Sequence, residues 1–128
     1  ANNNSVFKEV PHGTYEVEVN KLEPKVSKKG DPMLSIWFKI LTGEYKGNLI
    51  FYNQVVSSGF GLHMAHEMLR SLDSDVEVKF ENFKQWNNML MDIHEAIDGN
   101  LEYQLKYSAN KKNSNFSDFK IEDVFEVE

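Results

Sequence analysis

The stretch Pro32–Val56, PMLSIWFKILTGEYKGNLIFYNQVV, decides the fold. Read with a period of two, Leu34, Ile36, Phe38 and Ile40 share one face of a strand, and Met33, Ser35, Trp37 and Lys39 share the other. The first face is wholly apolar and belongs in a core. The second sets an indole beside an ammonium, an odd choice for a face that merely meets water. Thr42-Gly43-Glu44-Tyr45-Lys46-Gly47 supplies turn residues, and Asn48–Val56 returns as the partner strand. On that strand Tyr52 is expected outward and Phe51 inward, because a phenol tolerates water; a bulge would reverse the two.

Upstream, Tyr15, Val17 and Val19 alternate with Glu16, Glu18 and Asn20, which reads as a half-exposed first strand. Glu23-Pro24 interrupts it, and Lys25–Pro32 is expected as a basic loop holding Lys25, Lys28 and Lys29. Pro11-His12-Gly13 is a turn, so residues 1–12 read as a flexible lead-in and residues 13–128 as a single domain. Downstream, Phe60, Met64, Met68 and Leu72 recur at helical spacing behind a Ser57-Ser58-Gly59 cap. Val76–Phe80 alternates briefly and suggests an extended piece. A second helix is expected from Asn82, with Phe83, Trp86, Leu90, Ile93 and Ile97 on one stripe and Gly99 at its end. Leu101, Tyr103, Leu105 and Tyr107 mark a fourth strand. Ala109–Asn115 is a second basic loop with Lys111 and Lys112, and Phe119–Val127 makes a last strand with an irregularity at Asp123.

Composition narrows the class. The chain has 128 residues, 41% hydrophobic and 27% charged, as a soluble globular domain does. There is no cysteine, which excludes disulfides and thiolate metal sites. No run approaches the ~18 apolar residues of a membrane helix, and Ala1-Asn2-Asn3-Asn4-Ser5 does not read as a signal peptide. No membrane association is expected, the location expected is cytoplasmic, and the sequon Asn115-Phe116-Ser117 reads as accidental. Net charge is −6, but it is unevenly spread: +1 over residues 1–56, −5 over 57–100, +2 over 101–113 and −4 over 114–128. An acidic chain of this kind can still present a local basic groove.

Three strands, a helical insert and two more strands is the connectivity of a small Greek-key barrel. The fold expected is therefore mainly β, a five-stranded OB-fold barrel with a two-helix insert between strands 3 and 4. In that fold the face of strands 2 and 3, with the 1–2 and 4–5 loops, forms an oligonucleotide groove. Both loops are the Lys-Lys loops here, and they are expected at the same end of the barrel.

Three stretches carry a family resemblance: GTYEVEVNKLEPKVSKKGDPMLSIWFKILTGEYKGNLIF, NNMLMDIHEAIDGNLEYQLKY and FKIEDVFEV, which together cover most of residues 11–127. The chain resembles phage-encoded proteins first catalogued as a domain of unknown function and grouped with single-stranded-DNA-binding proteins. The resemblance implies an OB-fold that coats single strands in phage replication or recombination, in the cytoplasm of a bacterial host.

The residues then take roles. Trp37 would stack a base with Lys39 on a phosphate, and Tyr52 would extend the platform; alternatively Trp37 packs under a loop as peripheral core. Lys25, Lys28, Lys29, Lys111 and Lys112 would line two rims and neutralise phosphates, with Lys106 joining them, or the loops are simply solvated. His63 and His66 lie three apart without the HExxH pattern or a third ligand, so no metal is expected. Ser58-Gly59-Phe60-Gly61 lacks the Lys-Ser/Thr of a phosphate loop and reads as a helix entry. Asp92, Glu95 and Asp98 have no partner base, and with no nucleophile–base pair an enzyme is not expected, nor a cofactor. The partners expected are single-stranded DNA and phage or host replication and recombination proteins, with a homo-oligomer left open. The rival is a protein-binding OB module, or an inhibitor of a host nucleic-acid enzyme, acting through the acidic helices and their methionines Met64, Met68, Met89 and Met91.

Overall fold

A computed structural model of the chain describes residues 10–110, 112 and 117–128. It contains β1 (Gly13–Val26), β2 (Pro32–Ile40), β3 (Leu49–Val55), α1 (Gly59–Ser71), α2 (Phe83–Ile97), β4 (Leu101–Ala109) and β5 (Ser117–Glu126). The protein is mainly β: five antiparallel strands in one sheet, ordered β3-β2-β1-β4-β5, with both helices between β3 and β4. β3 and β5 are the edges of this sheet, and no ladder joins them among the described residues. Side chains approach across the gap instead, with Tyr52 and Phe119 edge-to-face at 5.2 Å.

β1 is longer than the sequence suggests. It runs through Glu23 and Pro24, and Pro24 pairs with Leu34. The reason lies in its neighbours. β4 accompanies β1 only from Gly13 to Val17, so the second half of β1 has β2 alone as a partner. A proline without an N–H is tolerated on such a one-sided strand. Between Val19 and Lys21 the register shifts, leaving Asn20 as an extra residue. Val17 and Val19 face inward before this bulge and Leu22 after it, all buried. The chain turns back at Ser27–Asp31, where Ser27 N donates to Asp31 O at 2.7 Å and Gly30 takes φ 90°, which an L side chain resists. Lys28 and Lys29 sit exposed at this tip, whereas Lys25 belongs to the strand.

Leu34, Ile36, Phe38 and Ile40 are fully buried, so β2 presents the apolar face that its alternation announces. Each such side chain contributes about 1.5–3 kcal/mol on leaving water. The ladder then fixes β3. Phe38 pairs with Ile50 and Ile36 with Tyr52, which puts Tyr52 in the core at 7% exposure; Phe51, opposite Trp37, is 44% exposed. The expected orientation of Tyr52 and Phe51 is thus reversed. No bulge is needed for this, because the parity of β3 is set by that of β2, whatever a phenol could tolerate.

The helices cover the inner face. Ser58 Oγ accepts from Gly61 N at 3.0 Å to start α1, and Asn82 Oδ1 accepts from Gln85 N at 2.8 Å to start α2. α1 meets β3 and β5, and α2 lies on β1. A Cβ on Gly61 would overlap the carbonyl oxygen of Val55, so the absent side chain lets α1 sit against the end of β3. Tyr103 Oη donates to Leu72 O at 2.8 Å, tying β4 to the end of α1. Val76–Phe80 is not a strand: Val76 and Val78 pack on the core, while Gln85 Nε2 donates to Lys79 O at 3.1 Å and Gln85 Oε1 accepts from Glu81 N at 2.7 Å. Side chains there satisfy the backbone in place of a ladder. The irregularity of β5 falls at Glu122, between Ile121 and Asp123. Val10 is buried and His12 Nε2 lies 3.2 Å from Ser117 Oγ, so the chain packs from residue 10; the rest of the expected lead-in, residues 1–9, lies outside the described residues.

Between the helices, Trp86 Nε1 donates to His66 Nε2 at 3.0 Å, with both side chains buried. Burial holds the His66 pKa below 6.5, helped by Arg70 and then His63. The unfolded chain therefore takes this proton at higher pH than the folded one. The contribution of His66 is complete above about pH 6.5 and is lost as pH falls through the lower folded value. Urea unfolding at about pH 7.5 and about pH 5.5 will show a lower midpoint in acid, and His66→Gln, which keeps an acceptor but cannot ionise, will shrink that difference. An equal pH effect in both proteins would contradict this assignment.

Candidate functional site

The outer face of β1, β2 and β3 is organised in cross-strand rows. Lys25, Met33 and Val55 form one, Glu23, Ser35 and Asn53 the next, then Lys21, Trp37 and Phe51, then Glu18, Lys39 and Leu49. The aromatic row is the centre. Trp37 and Phe51 meet edge-to-face at 5.3 Å and 87°. Lys21 Nζ stands 4.4 Å from the centroid of the indole and Lys25 Nζ 5.2 Å from it. Such ammonium–indole contacts contribute about 0.5–1 kcal/mol each at exposed sites. Lys21 also pairs with Glu23 at 3.7 Å. Ser35, the smallest side chain of its strand's outer face, is fully buried under its neighbours, and its hydroxyl has no hydrogen-bond partner.

Trp37 is half-buried, with Phe51 edge-on to it and the Lys21 and Lys25 ammonium groups over its ring. Lys39 lies on the same outer face, half-buried between Glu18 and Leu49. With the hairpin tip, this surface holds Lys21, Lys25, Lys28, Lys29 and Lys39 against Glu16, Glu18, Glu23 and Asp31. It is locally basic on a chain of net charge −6.

Other expected residues stand elsewhere. Tyr52 is in the core, and burial pushes its phenol pKa well up. Lys106 shares the outer surface but lies on β4 between Thr14 and Lys120, at the far end of β1 from Trp37, so it does not join the row. Lys112 is exposed, and Lys111 lies outside the described residues. The two Lys-Lys loops leave from opposite ends of β1, not from one end: β1 enters the first, while the second comes after Ala109, beside Gly13. The curl of the sheet partly restores the relation, because Asn110, Ser117 and Asp118 line a cleft together with Asn53, Gln54 and Val55 of β3.

Sequence reasoning missed Lys21 and Phe51. The signal for Lys21 was present: Val17 and Val19 are odd-numbered and Leu22 is even, and a break of phase inside a strand marks a bulge that re-aims the residues beyond it. The arrangement offers an aromatic surface flanked by long-stemmed cations, suited to a flat π-system that carries negative charge. Among the described residues no group of three or more metal-ligating side chains stands together, and no helix is long and apolar enough to cross a membrane.

The chain belongs to the family described as "Protein of unknown function (DUF669)", whose model matches residues 1–118, up to the start of β5. No curated protein matches it.

The Trp37–Phe51 contact is open to a double-mutant cycle. Trp37→Leu, Phe51→Leu and the double variant, compared by urea unfolding, will show a coupling of about 0.5–1.5 kcal/mol. Strict additivity would mean that the two rings do not meet.

Proposed function

We propose that this protein binds single-stranded DNA with little sequence preference, across the outer face of β2 and β3. The observation that carries the reading is the Trp37–Phe51 pair capped by Lys21 and Lys25. A base that stacks on the indole takes the place of the ammonium groups, which then turn to the adjoining phosphates. Stacking contributes about 1–3 kcal/mol per base and does not depend on base identity. Lys28, Lys29 and Lys39 extend the basic track, and Lys111 and Lys112 would guide the strand from the far loop.

The fold supports this reading. An antiparallel order β3-β2-β1-β4-β5 with helices after β3 is the neighbour order of the five-stranded OB-fold, a partly open Greek-key barrel. The Tyr52–Phe119 contact lies where the closing pair of strands would meet. On this reading the protein coats single strands during phage replication or recombination in the host cytoplasm, without catalysis or cofactor.

Tryptophan emission during titration with poly(dT) tests it. Trp86 is buried, so quenching that saturates will report Trp37, and Trp37→Phe will abolish it. Trp37→Ala will weaken affinity about 5- to 150-fold, measured by competition or anisotropy. Affinity will fall with salt, and Lys25→Gln with Lys28→Gln will flatten that dependence. Absence of binding at low salt would overturn the proposal.

A further inference from the structure

β3 is a ridge between two surfaces. Its outer side chains Phe51 and Asn53 adjoin the Trp37 row, and its inner ones, Tyr52 and Gln54, line a cleft of about 1010 Å³ walled also by α1 and the start of β5. Asn53 borders both. On the helix, Phe60 and Met64 stand one turn apart on the cleft side, 75% and 43% exposed. A phenylalanine so exposed in the first turn of α1 adds little to the core. The volume reaches the upper end of the roughly 300–1,000 Å³ that holds a drug-sized ligand, more than a nucleobase requires.

The charged residues that line the cleft are Glu67, Asp118 and Lys120, so it offers no excess of positive charge. Glu67 is paired with Arg70 at 2.9 Å, and Asp118 accepts from Asn110 at 2.9 Å. With one lysine against two carboxylates the cleft gives a phosphate little attraction, whereas an uncharged base finds the Phe60 ring, the amide of Asn53 and the edge of β3. Resting on the reading of Trp37 above, we propose that a single strand crossing Trp37 and Phe51 continues over β3 and lodges a base against Phe60. The cleft is then a second stacking subsite, and the strand is held on both sides of the ridge.

Equilibrium binding of oligo(dT) from roughly four to roughly sixteen nucleotides, the span of such modules, separates the two sites. Wild type, Phe60→Ala, Phe60→Tyr and Trp37→Ala are compared, with circular dichroism confirming the fold of each. The shortest oligonucleotides, which reach only Trp37 and Phe51, will bind Phe60→Ala as they bind wild type. The longest will bind it about five-fold more weakly or worse, and Phe60→Tyr will restore them. If Phe60→Ala matches wild type at every length while Trp37→Ala is impaired, the cleft holds no base and this inference falls, leaving the Trp37 reading intact. An equal loss at all lengths also overturns it, since that marks a general disturbance. No binding by wild type at any length overturns both readings.

Discussion

Every strand of the sheet is held, directly or through one neighbour, by the backbone hydrogen bonds of β1. That strand pairs with β4 over Gly13–Val17 and with β2 over Val17–Val26, so its two ladders overlap at a single residue. Each half of the strand therefore follows a different partner. The bulge at Asn20, just past the overlap, adds twist where the two halves diverge. The sheet coils, its edges β3 and β5 approach, and Tyr52 meets Phe119 across the gap. The cleft beside α1 is the space that this incomplete closure leaves.

The same bulge sets the chemistry of the outer surface. Without an extra residue, Leu22 would turn outward and Lys21 would face the core, at a cost of several kcal/mol for a buried charge. With it, Lys21 lies opposite Trp37, and Lys25 sits further along the same face. Glu23 between them pairs with Lys21, and the hairpin of β1 and β2 keeps five lysines against four carboxylates, while residues 57–100 and 114–128 hold 13 of the chain's 20 acids. A negative total and a locally basic face thus coexist on one small domain, because five of the chain's 13 lysines fall on β1, β2 and the turn joining them.

Much of this is legible in the sequence. The alternation of β2 marks its buried face, Ser58 and Asn82 mark the helix starts, and element types are readable for all seven elements. The features that escape are those that depend on partners. Pro24 looks like a break in isolation, although it sits on a strand with one neighbour. Tyr52 looks outward by its own polarity, although the register with Ile36 decides it. Val76–Phe80 alternates like a strand but has no ladder among the described residues. For the site, Trp37 and Lys39 stand on one face as expected, Lys25 joins that face from β1 rather than from a loop, and Lys106 is carried away by its place on β4. Lys21 and Phe51 emerge only once two strands are set side by side.

The most direct test of binding across the Trp37 row is an amide and indole NMR titration of the protein with oligo(dT). The Trp37 indole N–H and the amides of Lys21, Trp37 and Phe51 are predicted to shift with saturating oligonucleotide. The buried Trp86 indole and the Glu102–Lys106 segment should stay in place. Shifts centred on α2 or on β4, with Trp37 unmoved, would contradict it.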